Sequence, residues 1–313
     1  MDLQMSFPTS GVTTWVFLPP IAAFAVSFFA SMGGVSGAFI LLPFQISFLH
    51  FVTPSVSATN FVYNIVAIPS GVYRYIREGR MAWHLAWLII LGTLPGVFLG
   101  YYLRILYLPD PRTFRLFVGC VLCYVGIRLV FETIRNRRND GNNGQNGIDK
   151  LNHGIGTPVN LRTISFSAKR TEYEFCGNSY PIATPRLLVL AFFVGIVGGA
   201  YGIGGGSIIA PFLVAFFGLP IYVVAGAALL GTFLTSIAGV LFYTFVSVKQ
   251  GISASPDWLL GILFGLGGLA GMYCGARLQK HVPQRFIKMM LGVMILFLAV
   301  CYVKEFFAAQ SSG

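Results

Sequence analysis

The sequence predicts an all-α integral membrane protein, a duplicated unit whose first segments are half-helices broken at glycine. Three observations carry that reading. The chain of 313 residues is 56% hydrophobic and 10% charged, with a mean hydropathy of +0.75, which leaves too little polar surface to cover a water-soluble globule. Asp, Glu, Lys and Arg are absent from Leu3 to Tyr73, Met81 to Leu103, Leu187 to Val248 and Trp258 to Ala276, and runs of that length sit in lipid or in a bundle within it. The third observation is internal repetition. Gly34-Val35-Ser36-Gly37-Ala38-Phe39-Ile40-Leu41-Leu42-Pro43-Phe44 aligns without gaps on Gly202-Ile203-Gly204-Gly205-Gly206-Ser207-Ile208-Ile209-Ala210-Pro211-Phe212 and shares Gly, Gly, Ile, Pro and Phe with it.

At the same offset Gly71 falls on Gly239. After a longer loop Trp83 aligns with Trp258, and Gly92, Gly96, Gly100 and Leu103 align with Gly267, Gly271, Gly275 and Leu278. The expected units are a first membrane repeat at residues 13–134 and a second at 186–308. Each contains four apolar segments, at 20–50, 54–76, 84–107 and 113–134 and again at 186–218, 221–247, 257–279 and 285–307. The first of each set is too long: thirty helical residues reach about 45 Å, past a hydrocarbon core of about 30 Å. Glycines lie near its middle, so two half-helices joined by an unwound turn are expected. The glycines at 92, 96 and 100 and at 267, 271 and 275 repeat every fourth residue, a small-residue ridge for close helix packing.

The half-helices either continue across the membrane as a broken span or fold back as a re-entrant hairpin. Continuing spans place Arg74, Arg77 and Arg80 opposite Arg277, Lys280, Arg285 and Lys288; hairpins place both clusters on one side together with Arg135, Arg137 and Arg138. Only hairpins concentrate the basic residues in cytoplasmic loops. Three crossings per copy then turn the second copy upside down, an inverted repeat, with both termini outside. The net charge of +11 is read as this orientation signal rather than as a nucleic-acid footprint.

Between the copies, residues 135–185 form a polar linker, expected to be cytoplasmic. RNRRNDGNNGQNG cannot bury a core, and the alternation of Ile164 and Phe166 with Tyr173 and Phe175 predicts a small β-hairpin. The N-terminus, MDLQMSFPTSG, has no basic stretch of the kind that opens a cleaved leader and is expected to be retained. Cys120 and Cys123 read as small packing residues, since no His or acid stands beside them. No cofactor or metal site is expected.

The breaks point to function. Unwound backbone in lipid is tolerated only where protein, water or substrate satisfies it, and the half-helix beyond the break presents free N–H groups and the positive end of its dipole, which favour an anion. Two such N-termini, at Gly34, Ser36 and Gly37 and at Gly202, Gly204, Gly205, Gly206 and Ser207, are expected to converge on one midplane site without a buried Lys or Arg. Asn60, Tyr63 and Asn64 from one second segment and Thr232, Thr235 and Ser236 from the other are the polar groups expected beside it. Thr59 lies in the same stretch.

The G-[VI]-x-G-x-x-I-x-x-P-F element at Gly34 and Gly202, with the Gly79/Trp83 and Gly251/Trp258 elements after the second segments, resembles the sulfite exporter TauE/SafE family, also grouped as toluene-sulfonate uptake permeases. Ser36 stands where that family usually has a further glycine, and the 135–185 insert is longer than typical. The resemblance implies a carrier of the bacterial inner membrane for sulfite, sulfonates or related sulfur-containing anions, often an exporter. The expected partners are the small anion, the lipid bilayer and a coupling ion, proton or sodium. A passive anion channel has the same outward features. Gly34-Val35-Ser36-Gly37 also fits the G-x-S-G nucleophile motif of rhomboid-type intramembrane proteases. However, His50, His84, His153 and His281 all lie at segment ends or in a loop, and the second copy has glycine in place of the serine, so no enzyme is expected.

Overall fold

The computed structural model describes residues 4–107, 161–167, 170–175, 178–246 and 254–311, together with scattered helical positions between 113 and 134. Its helices coincide with the apolar segments and break at the glycines. Helix α1 (Leu18–Met32) opens on prolines, whose missing N–H is no loss in a first turn, and stops at Gly33. Gly34 turns the chain with φ 71, and α2 (Ala38–Ser47) comes after it. Longer spans come next: α3 (Ser55–Arg77), then α4 (Trp83–Tyr102), which runs on as a π-helical turn at Leu103–Tyr107.

The second half opens in the same way. Helix α5 (Thr184–Tyr201) ends at left-handed Gly202, with φ 79. Gly204, with φ 81, reaches a backbone region closed to other residues, and α6 (Gly205–Phe217) begins there. Then come α7 (Ile221–Phe245), α8 (Trp258–Gln279) and α9 (Gln284–Ser311). Among the described residues, five stretches are long and apolar enough to cross a membrane: Trp83–Tyr107, Thr184–Tyr201, Ile221–Phe245, Trp258–Gln279 and Arg285–Lys304. Helix α3 has comparable length, 23 residues, but carries the polar residues Ser57, Thr59, Asn60, Tyr63 and Asn64 in its interior. Outward faces are apolar, with Phe245 77% and Phe297 67% exposed, as lipid contact requires. At 15 and 10 residues, α1 and α2 extend only about 22 Å and 15 Å, short of a membrane core.

The glycine ridges join the two halves. Gly92, Gly96 and Gly100 of α4 lie against the backbone of α5, where a Cβ would come within 3.1 Å of the Leu188 carbonyl oxygen and 2.2 Å of those of Phe192 and Ile196. Gly267, Gly271 and Gly275 of α8 lie in the same way on the Pro20, Phe24 and Phe28 carbonyls of α1, at 1.9, 2.4 and 2.1 Å. Each ridge thus packs on the first helix of the opposite half, and 20, 24 and 28 precede 188, 192 and 196 by a constant 168. Gly34 against Ala225 and Gly202 against Ser57 repeat that step, as do the bonds from the Tyr75 hydroxyl to the Ser31 carbonyl (3.1 Å) and from the Tyr243 hydroxyl to the Gly199 carbonyl (3.2 Å). Gly71 faces Leu229 while Gly239 faces Phe61, so α3 and α7 run antiparallel.

Two polar clasps mark the ends of the molecule. At one, the Asp257 carboxylate caps α8 by accepting from the Leu260 N–H (3.1 Å), and it also accepts from the Ser10 N–H (3.1 Å) and hydroxyl (2.8 Å). The Asp257 N–H donates to Thr59 Oγ1 (2.9 Å) at the start of α3. Ser10 lies in the turn of an N-terminal hairpin, β1 (Gln4–Phe7) paired antiparallel with β2 (Val12–Trp15), whose Phe7 and Val12 are buried. At the other end Arg80, 3% exposed, donates to Gln279 Oε1 (2.5 Å), to the Ala276 carbonyl (3.1 Å) and to Glu78. Gln279 Nε2 donates to the Met32 carbonyl (2.6 Å), an orphan of the α1 C-terminus, and Glu78 also pairs with Arg74 (2.6 Å) and Lys280 (3.8 Å).

In the stretch between the halves, RNRRNDGNNGQNG lies outside the described residues. The expected two-stranded hairpin is instead a three-stranded antiparallel sheet, β3 (Leu161–Phe166), β4 (Thr171–Phe175) and β5 (Asn178–Ile182), in that order. The third strand was hidden by Pro181, a residue that lacks a ladder donor and so belongs at an edge. The Thr171 and Thr184 hydroxyls, 2.9 Å apart, tie the sheet to the start of α5.

Candidate functional site

The two helix breaks meet at the centre of the bundle. The Ser36 N–H, in the first break, donates to Ser207 Oγ (3.2 Å) in the first turn after the second. The Ser36 hydroxyl donates to Asn64 Oδ1 and accepts from the Ala38 N–H (3.1 Å), capping α2. Asn64 Nδ2 donates to the Ile203 carbonyl (2.9 Å), in the second break, and to Ser236 Oγ (3.0 Å) on α7. The Ser207 and Thr232 hydroxyls are 3.0 Å apart, and Thr232 also donates to the Ala228 carbonyl (2.8 Å). Ser36, Asn64, Ser207, Thr232 and Ser236 therefore form one network linking both breaks to α3 and α7, and all five are fully buried.

Three expected residues stand differently. The Tyr63 hydroxyl bonds Ser27 Oγ (2.6 Å) on α1 and lies against Gly37, where a Cβ would approach it to 2.2 Å. Thr235 turns its hydroxyl back to the Gly231 (2.8 Å) and Thr232 (3.1 Å) carbonyls of its own helix, although it lies beside Gly204. Asn60 accepts from Gln45 Nε2 (2.8 Å) on α2. Gln45 and Ser27 were not read from sequence. Gln45 is the one amide in AFILLPFQIS, and that isolation was the available signal.

The glycines are close-packed. Gly34 and Gly202 press on the backbones of Ala225 and Ser57. A Cβ at Gly205 would lie 2.6 Å from Thr93 Cβ, and one at Gly206 would lie 2.2 Å from the Ala228 carbonyl oxygen. Their missing side chains let α6 lie on α4 and α7, which brings the N-terminal amides of α6 into the centre. Among the described residues, no charged side chain enters the network. Its chemistry is that of hydroxyls, amides and helix N-terminal N–H groups, which solvate a desolvated ion without neutralising it.

Apolar helices around an uncharged polar junction built on broken helices define a membrane transporter, and the Ser36 hydroxyl faces an asparagine rather than an activating histidine. The sulfite exporter TauE/SafE model matches residues 20–302, and the chain belongs to that family of membrane transporters, not to an enzyme family. It is similar to the probable membrane transporter protein YunE of Bacillus subtilis (strain 168), at 24% identity over 283 residues covering 88% of this chain and 92% of that protein. It is also similar to the probable membrane transporter protein MJ0441 of Methanocaldococcus jannaschii, at 26% identity over 142 residues, 44% of this chain and 49% of that protein. No solved structure matches the chain.

Proposed function

We propose that the protein is a multi-pass secondary transporter of the bacterial inner membrane that moves sulfite, an organosulfonate or a related small sulfur-containing anion. The anion binds at the junction where the N-termini of α2 and α6 converge. The observation that carries this reading is the bond from the Ser36 N–H to Ser207 Oγ: a hydroxyl of one half occupies a backbone donor at the break of the other. Substrate oxygens replace that hydroxyl and the Tyr63 hydroxyl at Gly37, taking the donors that each half-helix leaves free. Asn64, Thr232 and Ser236 supply the remaining polar contacts, Asn60 and Thr235 line the approach, and Gly34, Gly202, Gly204, Gly205 and Gly206 let the backbone come close.

Residues 13–134 and 186–308 act as inverted repeats, with 135–185 between them in the cytoplasm. The recurrent step of 168, the antiparallel course of α3 and α7 and the shared end of the Arg74 and Lys280 clusters support this. The short α1 and α2 fold back as a hairpin, because α1 runs parallel to α8 and reaches the Gln279 end at Met32, while Gln45 of α2 lies back against Asn60 near the start of α3. A proton or sodium gradient drives the cycle. Purified protein in liposomes is given sulfite, small organosulfonates or sulfate under imposed proton and sodium gradients. Uphill accumulation of a sulfur oxoanion under one gradient is expected; purely downhill flux indifferent to both would make the protein a channel.

A further inference from the structure

Gln45 and Asn60 form a second polar pair outside the central network. Both are fully buried, Gln45 Nε2 donates to Asn60 Oδ1 (2.8 Å), and Gln45 Oε1 and Asn60 Nδ2 have no hydrogen-bond partner among the described residues. Exchanging oxygen and nitrogen in both amides does not remove the mismatch: one amide NH2 and one carbonyl oxygen still remain unmet. Such groups are costly to leave bare in a protein interior, and each one in a native structure calls for a reason. Asn60 precedes Asn64 by four residues on the same face of α3, a rise of about 6 Å, so the unmet donor lies about one turn from the junction, with the acceptor of Gln45 held against the same residue.

We propose that the Gln45–Asn60 pair reads an O–H group on the transported ion, so that the preferred substrate is a small oxoanion that keeps a hydroxyl, such as hydrogensulfite, rather than one with bare oxygens only. The inference rests on the transport reading above. An oxoanion oxygen satisfies the free amide N–H of Asn60. A second bare oxygen set against the Gln45 carbonyl would oppose lone pair to lone pair, whereas an O–H donates to it. Sites built to bond a hydroxyl reject analogues that lack it, because their own buried groups are then left unpaired.

Binding to the purified full-length protein tests this with two probes. Sulfite is titrated in mildly acidic buffer, where it carries its proton, and in mildly alkaline buffer, where it has lost it. Methanesulfonate has the same single charge but carries three bare oxygens and a methyl with no hydroxyl, and it is titrated in both buffers as a control. Hydrogensulfite is expected to bind at least about tenfold more tightly than methanesulfonate or alkaline sulfite, with methanesulfonate indifferent to the buffer, and Gln45→Leu should narrow the gap to about twofold or less. The wild-type comparison decides the matter even if Gln45→Leu fails to fold. Equal affinity for hydrogensulfite and methanesulfonate would mean that the pair holds only a water: the inference would fall and the transport reading would stand. Binding of neither probe would overturn both.

Discussion

Asn64 is where a residue-scale change is expected to cost most. Its amide accepts from Ser36, donates to Ser236 and satisfies the Ile203 carbonyl inside the second break, so Asn64→Ala strands a backbone acceptor in a buried place. The expected loss is about 1–3 kcal/mol for each buried group left unpaired, read as a fall in the unfolding midpoint together with loss of transport. Ser207→Ala removes the acceptor of the Ser36 N–H and the contact with Thr232 and should cost about 1 kcal/mol with only a modest fall in transport. Equal effects of the two substitutions would contradict the central place given to Asn64. The polar residues of the second segments were legible because amides and hydroxyls near the middle of a charge-free apolar segment stand out against their neighbours. Their pairing was not: Asn60 and Asn64 share a helical face, yet one bonds Gln45 on α2 and the other Ser36 in the break, a division set by where α2 lies and not by spacing along α3.

Helix-scale energetics turn on backbones in direct contact. Gly96→Ala and Gly271→Ala would each force a methyl to within 2.2 Å or 2.4 Å of a carbonyl oxygen on the facing helix, and the rigid backbone has little room to give. Each should destabilise by about 1–3 kcal/mol. Gly71→Ala, whose methyl meets nothing closer than 3.5 Å, should be neutral or slightly stabilising, since alanine is the better helix former. Thermal unfolding of the three variants side by side tests the distinction, and a drop in Gly71→Ala equal to the others would refute it. Asp257→Ala removes the cap of α8 and both bonds to Ser10, so about 1 kcal/mol of cap stability should go and protease should reach the N-terminal hairpin. The four-residue ridges and the glycine breaks were plain in the sequence because their periodicity is helical. The N-terminal hairpin was not, because QMSF and VTTW are too short to show alternation and its stability comes from Phe7, Val12 and the distant Asp257.

At the scale of the whole molecule, the contacts fix which ends lie together. The turn at Ser10, the start of α3 and the start of α8 share one end through Asp257; the end of α3 and the end of α8 share the other through Glu78, Arg80 and Gln279. The second end carries Arg74, Arg77, Arg80, Arg277 and Lys280, and basic residues collect in the cytoplasm. Single cysteines introduced into a cysteine-free background at Arg77 and at His281, both exposed, should therefore resist an impermeant thiol reagent in intact cells and react after the membrane is opened. A cysteine at exposed Thr9, beside the Asp257 clasp, should react in intact cells. Labelling of Arg77→Cys and His281→Cys on opposite sides would undo the inverted arrangement. Protection of Thr9→Cys together with labelling of the other two would keep the repeat and reverse its orientation in the membrane. The outcome matters for mechanism, because the hairpin made by α1 and α2 opens toward the Thr9 end. On the proposed path an anion leaving the junction along α2 would pass Gln45 and Asn60 on that side, and the orientation would then fix whether those amides face its entry or its exit.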